Sequence, residues 1–163
     1  MSIPSRNAAP KSIEIVERTF FVTSKSIEGR SILQSDRMAT LLIDVLRVYV
    51  SEGKFKVHEF VVMPNHIHVL LTVGRDLSVE KAAQLIKGNF SYRAKRELGW
   101  QREIWQPGFS EVRVTDRESF LAYKRYIHEN PVKAGLVNSP EEYPYCSLYL
   151  RKQKQKIKAA GRG

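Results

Sequence analysis

Residues 54–73, "KFKVHEFVVMPNHIHVLLTV", decide how the chain folds. Two apolar, β-branched runs flank the short Pro64-Asn65 turn, a pattern that closes as an antiparallel hairpin. Upstream, "IEIVERTFFVTSK" (13–25) has the alternation of a strand, and "SDRMATLLIDVLRVYVSEG" (35–53) reads as a helix with a Ser/Asp start and a Gly stop. Downstream, "SVEKAAQLIKGNFSYRAKREL" (78–98) is a second amphipathic helix. A loop holding Trp100 and Trp105 leads from it to a fourth strand, "FSEVRVT" (109–115). The order β-α-β-β-α-β predicts an α+β, ferredoxin-like sandwich, one antiparallel sheet with two helices on one face. A third helix, "TDRESFLAYKRYIHENP" (115–131), is expected to open with a capping box from Thr115 to Glu118 and to stop at Pro131.

The bulk composition fits one domain: 163 residues, 42% of them hydrophobic. Residues 1–12 read as a flexible N-terminal tail, 13–150 as the folded unit and 151–163 as a basic C-terminal tail. Cys146 is the single cysteine, which excludes an internal disulfide and cysteine-based metal sites and favours a reducing, cytoplasmic setting. No run approaches the roughly 18 apolar residues of a membrane span, and the N-terminus lacks the apolar core of a signal peptide, so no membrane partner is expected. Lys and Arg outnumber Asp and Glu by 27 to 17, a net charge of +10 that attracts polyanions, nucleic acid first among them.

His66 and His68 lie in the strand after the turn. Residues i and i+2 of a strand share a face about 6.5 Å apart, so both imidazoles can turn onto one ion while Ile67 points into the core. A structural pair of partly buried histidines is the alternative, because two ligands are too few for a closed zinc site. A catalytic divalent ion needs a further protein group, and the third helix offers one. Phe120, Tyr123 and Ile127 form its apolar stripe, while Tyr126 and Asn130 lie one turn apart along the edge of that stripe. His128, about 160° from both, reads as an exposed cation near the helix C-terminus. A phenol beside a metal suggests covalent catalysis, since tyrosine with its pKa of about 10 needs help to act as a nucleophile. Helix geometry alone leaves Tyr123 open beside Tyr126.

Taken together, "MPNHIHVLL", "IWQPGFSEVRV" and "YIHENPVKAGLV" resemble the single-tyrosine HUH transposases of the IS200-like type, and among them the REP-associated tyrosine transposase branch. The similarity spans residues 14–149. It implies a metal-dependent endonuclease and strand transferase that acts on single-stranded DNA through a 5′-phosphotyrosine intermediate. In that reading Tyr126 is the nucleophile, carried on a helix that follows the sandwich. His66, His68 and Asn130 hold Mg²⁺ or Mn²⁺, harder ions than an all-histidine site would select. The expected substrates are hairpin-forming elements, bound by a monomer or a homodimer. Asn130 departs from the Gln or Glu that other branches place at the third ligand position.

Interleaved basic and aromatic residues in the second helix, Lys87, Tyr92, Arg93, Lys95 and Arg96 around Phe90, suit phosphate contacts and base stacking. An ordinary helix with Phe90 in the core and a solvated basic face explains the same pattern. Trp100 and Trp105 could stack on bases, and core packing suits each at least as well. The basic tail is expected to add salt-sensitive affinity without specificity. The rival readings are a domesticated hairpin-binding protein without turnover and, less favoured, an RNA-binding module of the same strand order. The second lacks the aromatic sheet signature of RNA-recognition domains.

Overall fold

A computed structural model describes residues 17–161. The stretch read as an N-terminal tail, 1–12, and the start of the strand expected from Ile13 lie outside the described residues. Four strands, β1 (Arg18–Lys25), β2 (Lys56–Met63), β3 (His66–Val73) and β4 (Ser110–Val114), form one sheet in the order β2-β3-β1-β4. Every neighbouring pair is antiparallel. Helices α1 (Asp36–Ser51) and α2 (Val79–Leu98) cross between strands, as the sandwich order requires. Ser35 and Ser78 cap them by accepting from the backbone N–H of Met38 and Lys81, and Gly99 ends α2 in the left-handed conformation.

Strand alternation sorts the core into two layers. Phe20, Val22, Val62, Ile67, Val69 and Leu71 face α1 and α2, where Leu42, Val45, Ile86 and Phe90 meet them. Phe21, Val61, Met63 and Leu70 face the other way, against α3 (Arg117–Lys133). The expected stripe of α3 holds: Ile127 is fully buried, and Phe120 and Tyr123 pack on the same cluster. A fully buried Ile contributes about 1.5–3 kcal/mol relative to an exposed one, so this face docks the helix.

Both ends of α3 differ from the sequence reading. Its N-cap is Asp116, whose carboxylate accepts from the Ser119 N–H at 2.7 Å, in place of the Thr115–Glu118 box. β4 keeps the chain paired through Val114, so Thr115 is spent on leaving the sheet and the cap falls on Asp116, two residues past the last pair. Nor does Pro131 stop the helix, which runs to Lys133 with Pro131 inside it. Proline forfeits one ladder bond. Here its ring is buried beside Ile127, while Ala134 N–H donates to the Asn130 carbonyl and Leu136 N–H to that of Pro131. Asn130 therefore stays helical, and its angle to Tyr126 is kept.

After α3 the chain returns along the exposed edge of the sheet. Val62 N–H donates to the Tyr145 carbonyl, the Tyr143 hydroxyl donates to the Val62 carbonyl at 2.7 Å, and Val61 bridges Cys146. This covers an edge that would otherwise present unpaired groups. The following residues form α4 (Ser147–Gly161), so the basic stretch from 151 is helical as far as Gly161. Its first turns are tied to the fold through Glu59, a carboxylate buried in β2. Ser147 Oγ donates to Glu59 at 2.8 Å and Arg151 reaches both carboxylate oxygens at 2.9 and 3.0 Å. His128 of α3 completes the cluster at 2.7 Å from Glu59, half-buried, which corrects its reading as an exposed cation. The cause is helix geometry: Tyr126 and His128 lie about 100° to either side of Ile127, so both flank the buried stripe, one toward β1 and β3 and the other toward β2.

Candidate active site

The two-residue turn at Pro64-Asn65 is fixed before it presents anything. Leu33 N–H donates to the Pro64 carbonyl and Ser26 N–H to that of Asn65, both at 2.9 Å. His66 opens β3 directly after it and pairs with Lys25, while His68 pairs with Thr23. Cross-strand partners point to one face. That face is the one under α3.

His66 and His68 stand with ring centroids 4.6 Å apart. The Nδ1 of His66 lies 2.7 Å from the Asn65 Oδ1, an acceptor, so Nδ1 carries the proton and Nε2 is left with its lone pair. His68 Nδ1 shares a 2.7 Å hydrogen bond with the Thr23 hydroxyl. Burial lowers the pKa of both rings. His68 is pushed down to about 3, with the charges of His66 and Lys25 adding to the effect. In His66 the nearby Asn130 side chain opposes the shift. Both imidazoles are therefore neutral near pH 7, the form in which histidine binds metal.

Tyr126 stands over this pair. Its ring lies 5.3 Å from that of His68, edge-on, and 5.8 Å from Phe21. Phe21 also stacks on His68 at 5.1 Å and on Tyr123 at 4.4 Å, so one phenylalanine is the platform for the site. The two candidate tyrosines separate here. Tyr123 is half-buried against Phe21, whereas Tyr126 is 43% exposed and the nearer of the two to the histidines. The structure thus brings together Tyr126, His66, His68 and Asn130.

Among the described residues no three His, Cys, Asp or Glu side chains cluster as a metal cage. Two neutral imidazoles and an amide oxygen are nonetheless a donor set that fits a divalent ion completed by phosphate oxygens and water. Asn65 and Thr23 escaped the sequence reading. The residue preceding a His-x-His pair and a strand register were the available signals, and the second needs the sheet order to be known.

The α2 residues are placed elsewhere, since α2 packs on the opposite face of the sheet. Lys87 Nζ donates to the carbonyls of Gln106 and Gly108 at 3.1 and 2.6 Å and lies over the Trp105 ring, so it clamps the loop before β4. Arg93 is held by Glu97 and Asp44. Lys95 is exposed, and Arg96 lies against the exposed Tyr92 ring and donates to its hydroxyl. Trp100 and Trp105 both pack against the core, and the Trp105 indole N–H donates to the Lys87 carbonyl. No helix among the described residues is long and apolar enough to cross a membrane.

Comparison with known proteins places this geometry in a lineage. The chain is similar to the REP-associated tyrosine transposase of Escherichia coli K12, 26% identical over 132 residues, which cover 80% of this chain and 76% of that one. Among solved structures it resembles a REP-associated tyrosine transposase bound to a REP hairpin, with a TM-score of 0.66 and 26% identity over 83% of this chain and 79% of the other. A chain from Deinococcus radiodurans R1, described as a transposase, shares the fold with a TM-score of 0.53 at 19% identity, over 71% of this chain and 92% of its own. The sequence model of the IS200-like transposases matches residues 22–130, from the middle of β1 to Asn130, and the chain belongs to that family.

Proposed function

We propose that this chain cuts and rejoins single-stranded DNA as a transposase, with Tyr126 as nucleophile, and that its substrates form hairpins. The observation that carries the reading is the exposed Tyr126 phenol beside two histidines held neutral by burial. The hairpin follows from the solved relative, which is bound to one. His66, His68 and Asn130 would hold Mg²⁺ or Mn²⁺, which when bound polarises a phosphate and stabilises the charge that develops on it.

The chain's own residues do the rest. Phe21 and the α3 stripe hold the phenol where a phosphodiester can meet it, so attack is a matter of position rather than encounter. The Tyr126 oxygen bonds to phosphorus as the bond to the 3′ oxygen breaks; the phenol proton is lost and the departing oxygen gains one. The product is a 5′-phosphotyrosine and a free 3′-OH. A second 3′-OH reverses the step and needs no external energy source, because the phosphodiester is exchanged and never hydrolysed. Asn65 and Thr23 set the ring orientations of the histidines, which keeps Nε2 of His66 turned outward. Tyr126 and the histidines come from one chain, so a monomer holds a complete set.

Oligonucleotides from the DNA flanking this chain's coding sequence, incubated with the protein and Mg²⁺ or Mn²⁺ and resolved on a denaturing gel, test the reading. The expected result is a protein-linked DNA band that requires the metal and is lost in Tyr126→Phe, with the loss at least 1,000-fold. Tight binding with no adduct would sink the catalytic reading and leave a hairpin-binding protein.

A further inference from the structure

Lys25 ends β1 as the cross-strand partner of His66, so its side chain leaves the sheet on the face that carries His66, His68 and Tyr126. It is exposed, and no carboxylate pairs with it among the described residues. A fixed cation so close to two metal-binding rings opposes a divalent ion by simple repulsion. The arrangement makes sense when an anion arrives to offset both charges.

Space for that anion lies beside it. Thr23 and Lys25 form one wall of a slot of about 240 Å³, and the Gln106–Ser110 segment forms the other. The segment is braced: Gln106 N–H donates to the Lys25 carbonyl at 2.9 Å, Lys87 Nζ holds the Gln106 and Gly108 carbonyls, and Gly108 takes a left-handed turn at φ 80°. The slot thus starts at Thr23, the hydrogen-bond partner of His68, and needs no rearrangement to admit a ligand.

We propose that Lys25 and this slot bind the phosphate of the nucleotide next to the bond that is cut, forming a subsite that aligns the strand on Tyr126. The assignment rests on the strand-cutting function proposed above. Its test is kept apart from that function by measuring binding with no metal present. Fluorescence anisotropy in EDTA, with the flanking-DNA oligonucleotides and a single uncharged methylphosphonate moved through each linkage in turn, reads out individual phosphate contacts. For the wild type, one linkage should stand out by a five- to tenfold loss, and where an adduct forms that linkage should adjoin the cut. Lys25→Ala should bind the unmodified strand five- to tenfold more weakly, lose its sensitivity at that linkage alone, and show a salt slope smaller by about 0.7. Lys25→Arg should recover most of the affinity, and thermal melts of both variants should match the wild type.

Equal sensitivity of wild type and Lys25→Ala at every linkage overturns the subsite, as does failure of either protein to bind the strand. If the linkage-specific contact is present but no adduct forms with metal, the strand-cutting reading fails and the phosphate contact stands as part of a binding protein.

Discussion

At the scale of single residues, His68 shows how burial sets the protonation state of a side chain. Desolvation first, then the charges of His66 and Lys25, push its pKa down to about 3. In the unfolded chain the same ring titrates near 6.5. Between those values the unfolded state holds a proton that the folded state refuses, so stability rises with pH across the window and is lost as pH falls through it. A single such group gives a slope of about 1.4 kcal/mol per pH unit. Urea unfolding of the metal-free protein between pH 6.5 and 4.5 should therefore show a shallower loss of stability in His68→Gln than in the wild type, by about one proton's worth. An unchanged slope would mean that His68 titrates normally in the fold. The grouping of the candidate residues was legible because strand and helix periods are local: i and i+2 put the histidines together, and one helical turn put Tyr126 with Asn130. His128 was not, since its partner Glu59 is 69 residues away and helix angles alone do not say what lies on each flank.

At the scale of elements, α3 is the part that carries Tyr126, and it is held at several points. Asp116 caps it, Phe120, Tyr123 and Ile127 pack below, and His128 binds Glu59. Burial alone would raise the Glu59 pKa, but hydrogen bonds from His128, Arg151 and Ser147 overcome this and hold it at about 2. One buried carboxylate thus joins β2 to α3 and α4. Removing a partner from such a cluster leaves charge uncompensated, which typically costs 3–5 kcal/mol for a fully buried pair. Arg151 is 43% exposed, so solvent softens the effect and Arg151→Ala should lose about 1–2 kcal/mol in urea unfolding. Its circular dichroism should also show less helix, because α4 loses an anchor one turn from its start. The hairpin, α1 and α2 announced themselves by alternation, caps and a terminal glycine. α4 did not, because beyond Arg151 its sequence has almost no apolar face and its N-terminal hold on Glu59 is a contact across 92 residues.

At the scale of the whole molecule, the net charge of +10 is spread over surfaces with different work to do. Two of the α2 cations are spent inside the protein, Lys87 on a loop and Arg93 on Glu97 and Asp44. The cations of α4 beyond Arg151 have no such use: no ion pair engages Lys152, Lys154, Lys156 or Lys158 among the described residues. Spaced at i and i+4, Lys152 with Lys156 and Lys154 with Lys158 repel one another by a few tenths of a kcal/mol per pair. Phosphates would relieve that repulsion, and each contact with duplex releases counterions in proportion to about 0.9 of a unit of salt slope. Deleting residues 152–163 removes five cations and no acid, while leaving Arg151 on Glu59. Affinity for a hairpin oligonucleotide, measured by anisotropy across a salt series, should then fall with a slope shallower by about 2, the value for two lost phosphate contacts. At saturating DNA the rate of Tyr126 adduct formation should stay within about twofold, because α4 lies off the edge of β2 and Tyr126 on the far flank of α3. An unaltered salt slope would show that the lysines of α4 stay in solvent when DNA binds, and that the hairpin is held by the sheet and α3 alone.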